Sequence, residues 1–163
     1  MFFFSYQPID CGDKYIKLLR RVEALDMQCK KVNGLYRILI KVLRFYYSRV
    51  LYKFGALYNL DIGLHSCNDG LKIWHIAGGI VINKNARVGK NLSLHGCNCI
   101  GNDGIHTNQA PIIGDNVHLG FGSSVIGNVT LADDIWVAAG AVVISSFDEP
   151  GIVIGGIPAK KLK

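Results

Sequence analysis

A chain of 163 residues, half of them hydrophobic, is long enough to bury the core of one domain with room for a small appendage. Its net charge of +6 comes from residues 1–60, which hold 11 Lys/Arg against 4 Asp/Glu, whereas residues 61–163 hold 7 against 8; with no recognised module in view, nucleic-acid binding is excluded. Five cysteines, odd in number and without a CxxC pair, argue against a disulfide framework and a structural zinc site, and a reducing, cytoplasmic setting is expected.

In chain order, MFFFSY lacks the basic region and the length of a signal peptide, so none is expected. Lys or Arg interrupts the apolar N-terminal region every few residues, so no run approaches the roughly 18–20 residues of a membrane span. Apolar residues recur at helical spacing in DKYIKLLRRVEAL and in LYRILIKVLRFYYSRVLYKF, and both segments are predicted as helix. In the second, Leu35, Ile38, Leu39, Val42 and Tyr46 share one face and Arg37, Lys41 and Arg44 form a stripe on another. The expected use of the apolar face is packing on its own domain or a sister subunit, with the basic residues solvated. A peripheral contact with an anionic membrane or acidic glycan carrier is the alternative. Residues 1–60 are therefore set apart as an α-helical N-terminal segment.

From residue 61 the period changes. Aliphatic residues stand six apart at Ile82, Val88, Leu94 and Ile100, and again at Ile113, Leu119, Val125, Leu131, Val137 and Val143. Glycine follows the same division, with 3 of 19 before residue 61. A sixfold period fits neither a helix nor a long strand. It predicts short strands joined by tight corners, three hexads to a coil, with the aliphatic residues stacked inward. The repeat fails in two places: in GNDGIHTNQAP, where an extruded loop is predicted near 101–111, and upstream of Ile82. Chemistry is sought where the repeat fails, and both breaks contain histidine. His75, between Trp74 and Ile76, reads either as a partly buried ring with a satisfied hydrogen bond or as a functional base.

The sixfold pattern resembles the left-handed parallel β-helix of the hexapeptide-repeat acyltransferases. Residues 61–163 are similar to the catalytic domain of serine O-acetyltransferases and to the short O-acetyltransferases of surface-polysaccharide synthesis, through HIAGGIVIN (residues 75–83) and NLDIG (residues 59–63). The resemblance implies a mainly β fold behind the helical segment, His75 as general base toward an acceptor hydroxyl, and Asp61 as the group orienting it. It places an oxyanion donor at Gly101 or Asn102. It also implies acetyl-CoA as donor, running past the corners Gly120-Phe121 and Ala138-Ala139 toward Lys160 or Lys161, and a homotrimer with the cofactor groove between subunits.

The family's serine-binding carboxylate and Arg-His pair are replaced here by Trp74 and Gln109-Ala110, which would hold free serine poorly. Trp74 offers a face on which a sugar ring can stack, and His95 is placed at the same groove. The expected reaction is acetylation of a saccharide hydroxyl in surface-polysaccharide synthesis, with serine acetylation as the alternative enzyme reading and a non-enzymatic scaffold as the alternative of another class. His65, His95, His106 and His118 show no metal-ligand spacing, so no metal is expected, and Cys97 and Cys99 are read as packing residues.

Overall fold

The computed structural model describes residues 8–106 and 108–163. Helix α1 (Pro8–Lys31) and helix α2 (Gly34–Tyr58) precede fourteen short strands. The strands fall into three sheets that the chain visits in rotation. The first face takes Leu60–Ile62, Ile80–Ile82, Asn98–Gly101, Ser124–Ile126 and Val142–Val143. Arg87–Val88, Ile112–Ile113 and Thr130–Leu131 form the second. The third runs through Lys72–Ile73, Ser93–Leu94, His118–Leu119, Trp136–Val137 and Val153–Gly156. Pairing between successive coils is parallel on all three faces, and only Ala159–Lys161 turns back antiparallel on Val153–Gly156. This is a three-faced coil of parallel strands.

The sixfold aliphatic residues are its interior. Leu94, Ile100, Leu119, Val125 and Val143 are fully buried, and Ile100 is in register with Ile82 and Val125. Burying each such side chain contributes about 1.5–3 kcal/mol, and the stack repeats that gain coil after coil.

At the corner between the second and third faces, Asn91, Asn116 and Asp134 all adopt left-handed φ, of 58°, 56° and 61°. Short polar side chains tolerate that conformation, and here they also bond one another. The Asn91 amide donates to Asn116 Oδ1 and the Asn116 amide to Asp134 Oδ1, both at 2.9 Å. Beside this ladder Asp133 accepts the Asp115 N–H at 2.7 Å and Asp115 accepts the Lys90 N–H at 2.6 Å.

The structure adds a coil that the repeat did not announce. Ile62, Cys67 and Ile73 are buried and aligned with Ile82, Val88 and Leu94, so the coil begins at Leu60, before the regular repeat sets in at Ile82. Uneven spacing hid it: nine residues separate Ile73 from Ile82, where six separate Leu94 from Ile100. The three extra residues lie in the turn that carries His75.

Helix α1 closes the open end of this first coil. Tyr15 and Leu19 are buried against it, and the Tyr15 hydroxyl accepts the Ile62 N–H at 3.2 Å. Arg20 donates to the Cys67 carbonyl at 2.8 Å and to that of Asn68, while the buried Glu23 holds Arg20 at 2.7 Å and accepts the His65 N–H at 2.7 Å. Helix α2 lies on α1 through Ile40, Tyr47, Leu51, Phe54 and Gly55. Leu35, Ile38, Leu39, Val42 and Tyr46, expected to pack on their own domain or on a sister subunit, do not pack on their own domain and face outward. Helical spacing puts them opposite the contact with α1.

Candidate active site

The turn from Trp74 to Gly79 is held from both ends. The Trp74 N–H bonds the Leu94 carbonyl at 2.8 Å, and the Ala77 carbonyl accepts the Cys97 N–H at 3.1 Å. Gly78 and Gly79 follow with φ of 77° and 79°, in the region that favours glycine. Beneath the turn, Gly96 has φ 110°, and a Cβ there would stand 2.9 Å from the His75 carbonyl oxygen. Only Ile76 points into the core. The His75 side chain is exposed and, among the described residues, makes no hydrogen bond within the chain, so it is not a satisfied core histidine.

His75 opens onto a groove of about 380 Å³ shared with His95, His118, Gly120, Phe121, Trp136, Val137, Ala138 and Ala139. Both corners assigned to the acyl donor thus lie beside the proposed base. The coil register explains this: Leu94, Leu119 and Val137 align on the third face, so the residues that follow them, His95, Gly120 and Ala138, stack along one edge. Asn98, buried among these coils, pins the edge. Its amide donates to the Gly120 carbonyl at 2.8 Å and to Ser123 Oγ at 3.1 Å, and its Oδ1 accepts the Gly96 N–H at 2.9 Å.

Two aromatic–histidine pairs mark the same face. Trp74 stacks on His95 with ring centres 5.7 Å apart, donates its indole N–H to Ser93 Oγ at 2.7 Å, and carries the Lys72 ammonium 3.6 Å above its ring centre. It flanks the groove, with its ring already engaged by these neighbours. Trp136 lies 3.9 Å from His118, within 10° of parallel, and is 52% exposed. Neither His118 nor Trp136 was singled out from the sequence as a site residue. Their eighteen-residue separation, one full coil of three hexads, is the signal that pairs them. Partial burial lowers the pKa of His118, the nearby His95 lowers it further, and Asp134 opposes the shift.

Asp61 is elsewhere within the chain. It projects from the first face, in register with Val81, into a separate cleft of about 550 Å³ that also includes Lys84, Cys99, Gly101 and Asn102. Among the described residues no hydrogen bond joins Asp61 to His75. One chain therefore brings the expected orienting carboxylate together with the expected oxyanion positions, and the base together with the donor corners, in two different depressions.

The segment after Gly101 leaves the coil as a loop. Asp103 ties it to itself, accepting the Ile105 and His106 N–H groups at 3.0 and 2.7 Å and holding His106 Nδ1 at 2.7 Å. These bonds, His106 first, depress the Asp103 carboxyl to about 2. Gln109 and Ala110 follow in this segment, with Ala110 buried. Of the two basic residues assigned to the donor, Lys161 is held by Glu149 at 2.6 Å, whereas Lys160 is exposed and has no ion pair among the described residues.

Cys97 and Cys99 are not core packing residues. Cys97 is exposed at a left-handed turn, and Cys99 faces the Asp61 cleft because its neighbours Asn98 and Ile100 point inward. Burial raises the pKa of the Cys99 thiol. Among the described residues no group of three or more His, Cys, Asp or Glu side chains stands where it could hold a metal ion.

No family model matches the chain. Individual relatives do. The chain is 30% identical over 114 residues to a serine acetyltransferase of Buchnera aphidicola, covering 68% of this chain and 43% of that protein. It is 35% identical over 81 residues to a putative colanic acid biosynthesis acetyltransferase of Escherichia coli, covering half of each. The crystal structure of Neisseria gonorrhoeae serine acetyltransferase matches with a TM-score of 0.71 at 25% identity, over 94% of this chain and 55% of that one. The chain thus spans about half the length of the relatives it matches. In sequence and in fold it is similar to these serine acetyltransferases and to the colanic acid acetyltransferase, the group that its hexad pattern resembles.

Proposed function

We propose that the protein transfers the acetyl group of acetyl-CoA to a hydroxyl of a saccharide destined for a surface polysaccharide, with His75 as general base. The observation that carries the reading is the groove around His75: an exposed imidazole, without a hydrogen-bond partner among the described residues, stands beside Gly120, Phe121, Ala138 and Ala139. As the acceptor oxygen attacks the thioester carbonyl, His75 takes the hydroxyl proton. The C–S bond then breaks, and the departing thiolate receives that proton from the imidazolium. Small corner residues give the pantetheine arm access to backbone, and Lys160 is the lysine available to a CoA phosphate.

We take the coil to be left-handed and the assembly to be a homotrimer, as in the family. The separation of the two depressions supports that assembly. A neighbouring copy would bring its Asp61, Gly101 and Asn102 to the groove of His75, supplying the imidazole's orienting partner and the donors for the developing oxyanion.

Saccharide is preferred to serine because the lining that one chain gives the groove is aromatic and small and, among the described residues, has no carboxylate or guanidinium, while the Asp61 of a neighbouring copy would be engaged by the His75 imidazole. Zwitterionic serine needs both kinds of partner, whereas a pyranose can stack on an indole. Trp136, more exposed than Trp74, is the better platform. The match to a putative colanic acid biosynthesis acetyltransferase favours this reading, while the serine acetyltransferase matches keep serine as the second one. Thiol release from acetyl-CoA, followed with a panel of hexoses, nucleotide sugars, oligosaccharides and serine, tests it. A saccharide is expected to accelerate release and serine is not; turnover of serine with an ordinary KM and no response to saccharides would overturn the reading.

A further inference from the structure

Helix α2 presents an apolar surface that no other described residue covers. Leu35, Ile38, Leu39, Val42, Phe45 and Tyr46 fall on one arc by helical spacing, opposite the Ile40, Tyr47, Leu51 and Phe54 side that meets α1. They are strongly exposed, Leu35 at 83% and Phe45 at 69%. Contiguous apolar surface of this kind marks an interaction site rather than the ordinary scatter of exposed hydrophobics.

The charges around the arc identify its partner. Helix α2 contains Arg37, Lys41, Arg44, Arg49 and Lys53 and no Asp or Glu. Arg44 is neutralised by Asp26, while Arg37, Lys41, Arg49 and Lys53 have no ion pair among the described residues. A second copy of the helix laid on this face would set these cations against cations. An acidic phospholipid surface complements them. Tyr36, Tyr46 and Tyr52 are exposed on the same helix, and tyrosine is a side chain suited to the boundary between headgroups and acyl chains. No described helix is long and apolar enough to cross a membrane, so the fitting mode is a helix lying in the interface.

We infer that the outer face of α2 is a docking surface for an anionic lipid bilayer, with Leu35, Ile38, Leu39, Val42 and Phe45 entering the headgroup boundary and Arg37, Lys41, Arg49 and Lys53 meeting acidic headgroups. The coil on the other side of α1 stays in water with its groove open. This surface stands independently of the acetyl-transfer reading, because it needs neither acetyl-CoA nor acceptor.

Co-sedimentation of the full chain with vesicles of phosphatidylcholine, alone or with a third of the lipid replaced by phosphatidylglycerol, tests the inference without any substrate present. Binding to the acidic vesicles alone is expected, reversed by high salt. The partition coefficient should drop about fivefold for each basic residue removed, as in Lys41→Gln and Lys53→Gln. Val42→Asp should abolish binding while leaving the circular dichroism spectrum and melting temperature intact, since its side chain touches solvent. Absence of binding to acidic vesicles, or equal binding to neutral and acidic ones, would overturn the inference. So would a lipid-free assembly that Val42→Asp breaks into smaller units while vesicle binding persists, which would make the face an interface between copies.

Discussion

At the scale of single residues, the features that matter are an exposed histidine and the buried asparagine that shapes its surroundings. His75 touches little, so His75→Ala should shift stability by no more than about 0.5 kcal/mol, as measured by denaturant unfolding. Asn98 is the opposite case. Replacing it with Ala leaves the buried Gly96 N–H without its partner and takes one of two donors from the Gly120 carbonyl, and should cost about 1–3 kcal/mol in the same measurement. His118 links pH to stability. Its folded pKa lies below the unfolded value near 6.5, so its contribution is present above that pH and is lost as pH falls through the folded value. Melting temperature should therefore decline on acidification below about pH 6.5, and His118→Gln should lessen the decline. His75 was legible in the sequence because it stands where the repeat breaks and matches a family motif. Asn98, at a regular position, looked like any polar corner residue, since its role depends on contacts with Gly120 and Ser123, more than twenty residues away.

At the scale of elements, the stacked hexads were the most legible feature, because each aliphatic position is buried in register with the next coil. Leu119→Ala should cost about 2–5 kcal/mol in denaturant unfolding, the usual range for truncating a leucine with no room to relax. The first coil was harder to read. Its turns depart from six residues, and only the parallel pairing of Ile62 with Ile82 and Ile73 with Leu94 reveals it. The helices were legible from their period, but which face of α2 would be covered was not. An amphipathic pattern does not say which of two apolar arcs finds a neighbour, and α1 took the one through Ile40, Tyr47 and Leu51. Trp74 was chosen from sequence as a platform beside the histidine. Its indole N–H is taken by Ser93, Lys72 covers one ring face, and it is less exposed than Trp136, so an aromatic next to the candidate base need not be the more open one.

At the scale of the whole molecule, a capped coil carries one groove with an exposed histidine and another with a carboxylate, and the proposed chemistry requires them to meet between copies. Light scattering should give a particle of three times 17.9 kDa, or a multiple of that. Mixing His75→Ala with Asp61→Ala subunits should restore part of the activity that each variant lacks, because some interfaces then pair an intact histidine with an intact aspartate. The most direct test of the central claim is the rate of acetyl transfer from acetyl-CoA to a saccharide acceptor by the wild type and by His75→Ala at matched folded concentration. The account predicts a loss of about 10²- to 10⁴-fold for the variant with an unchanged melting temperature; equal rates for the two proteins would contradict it.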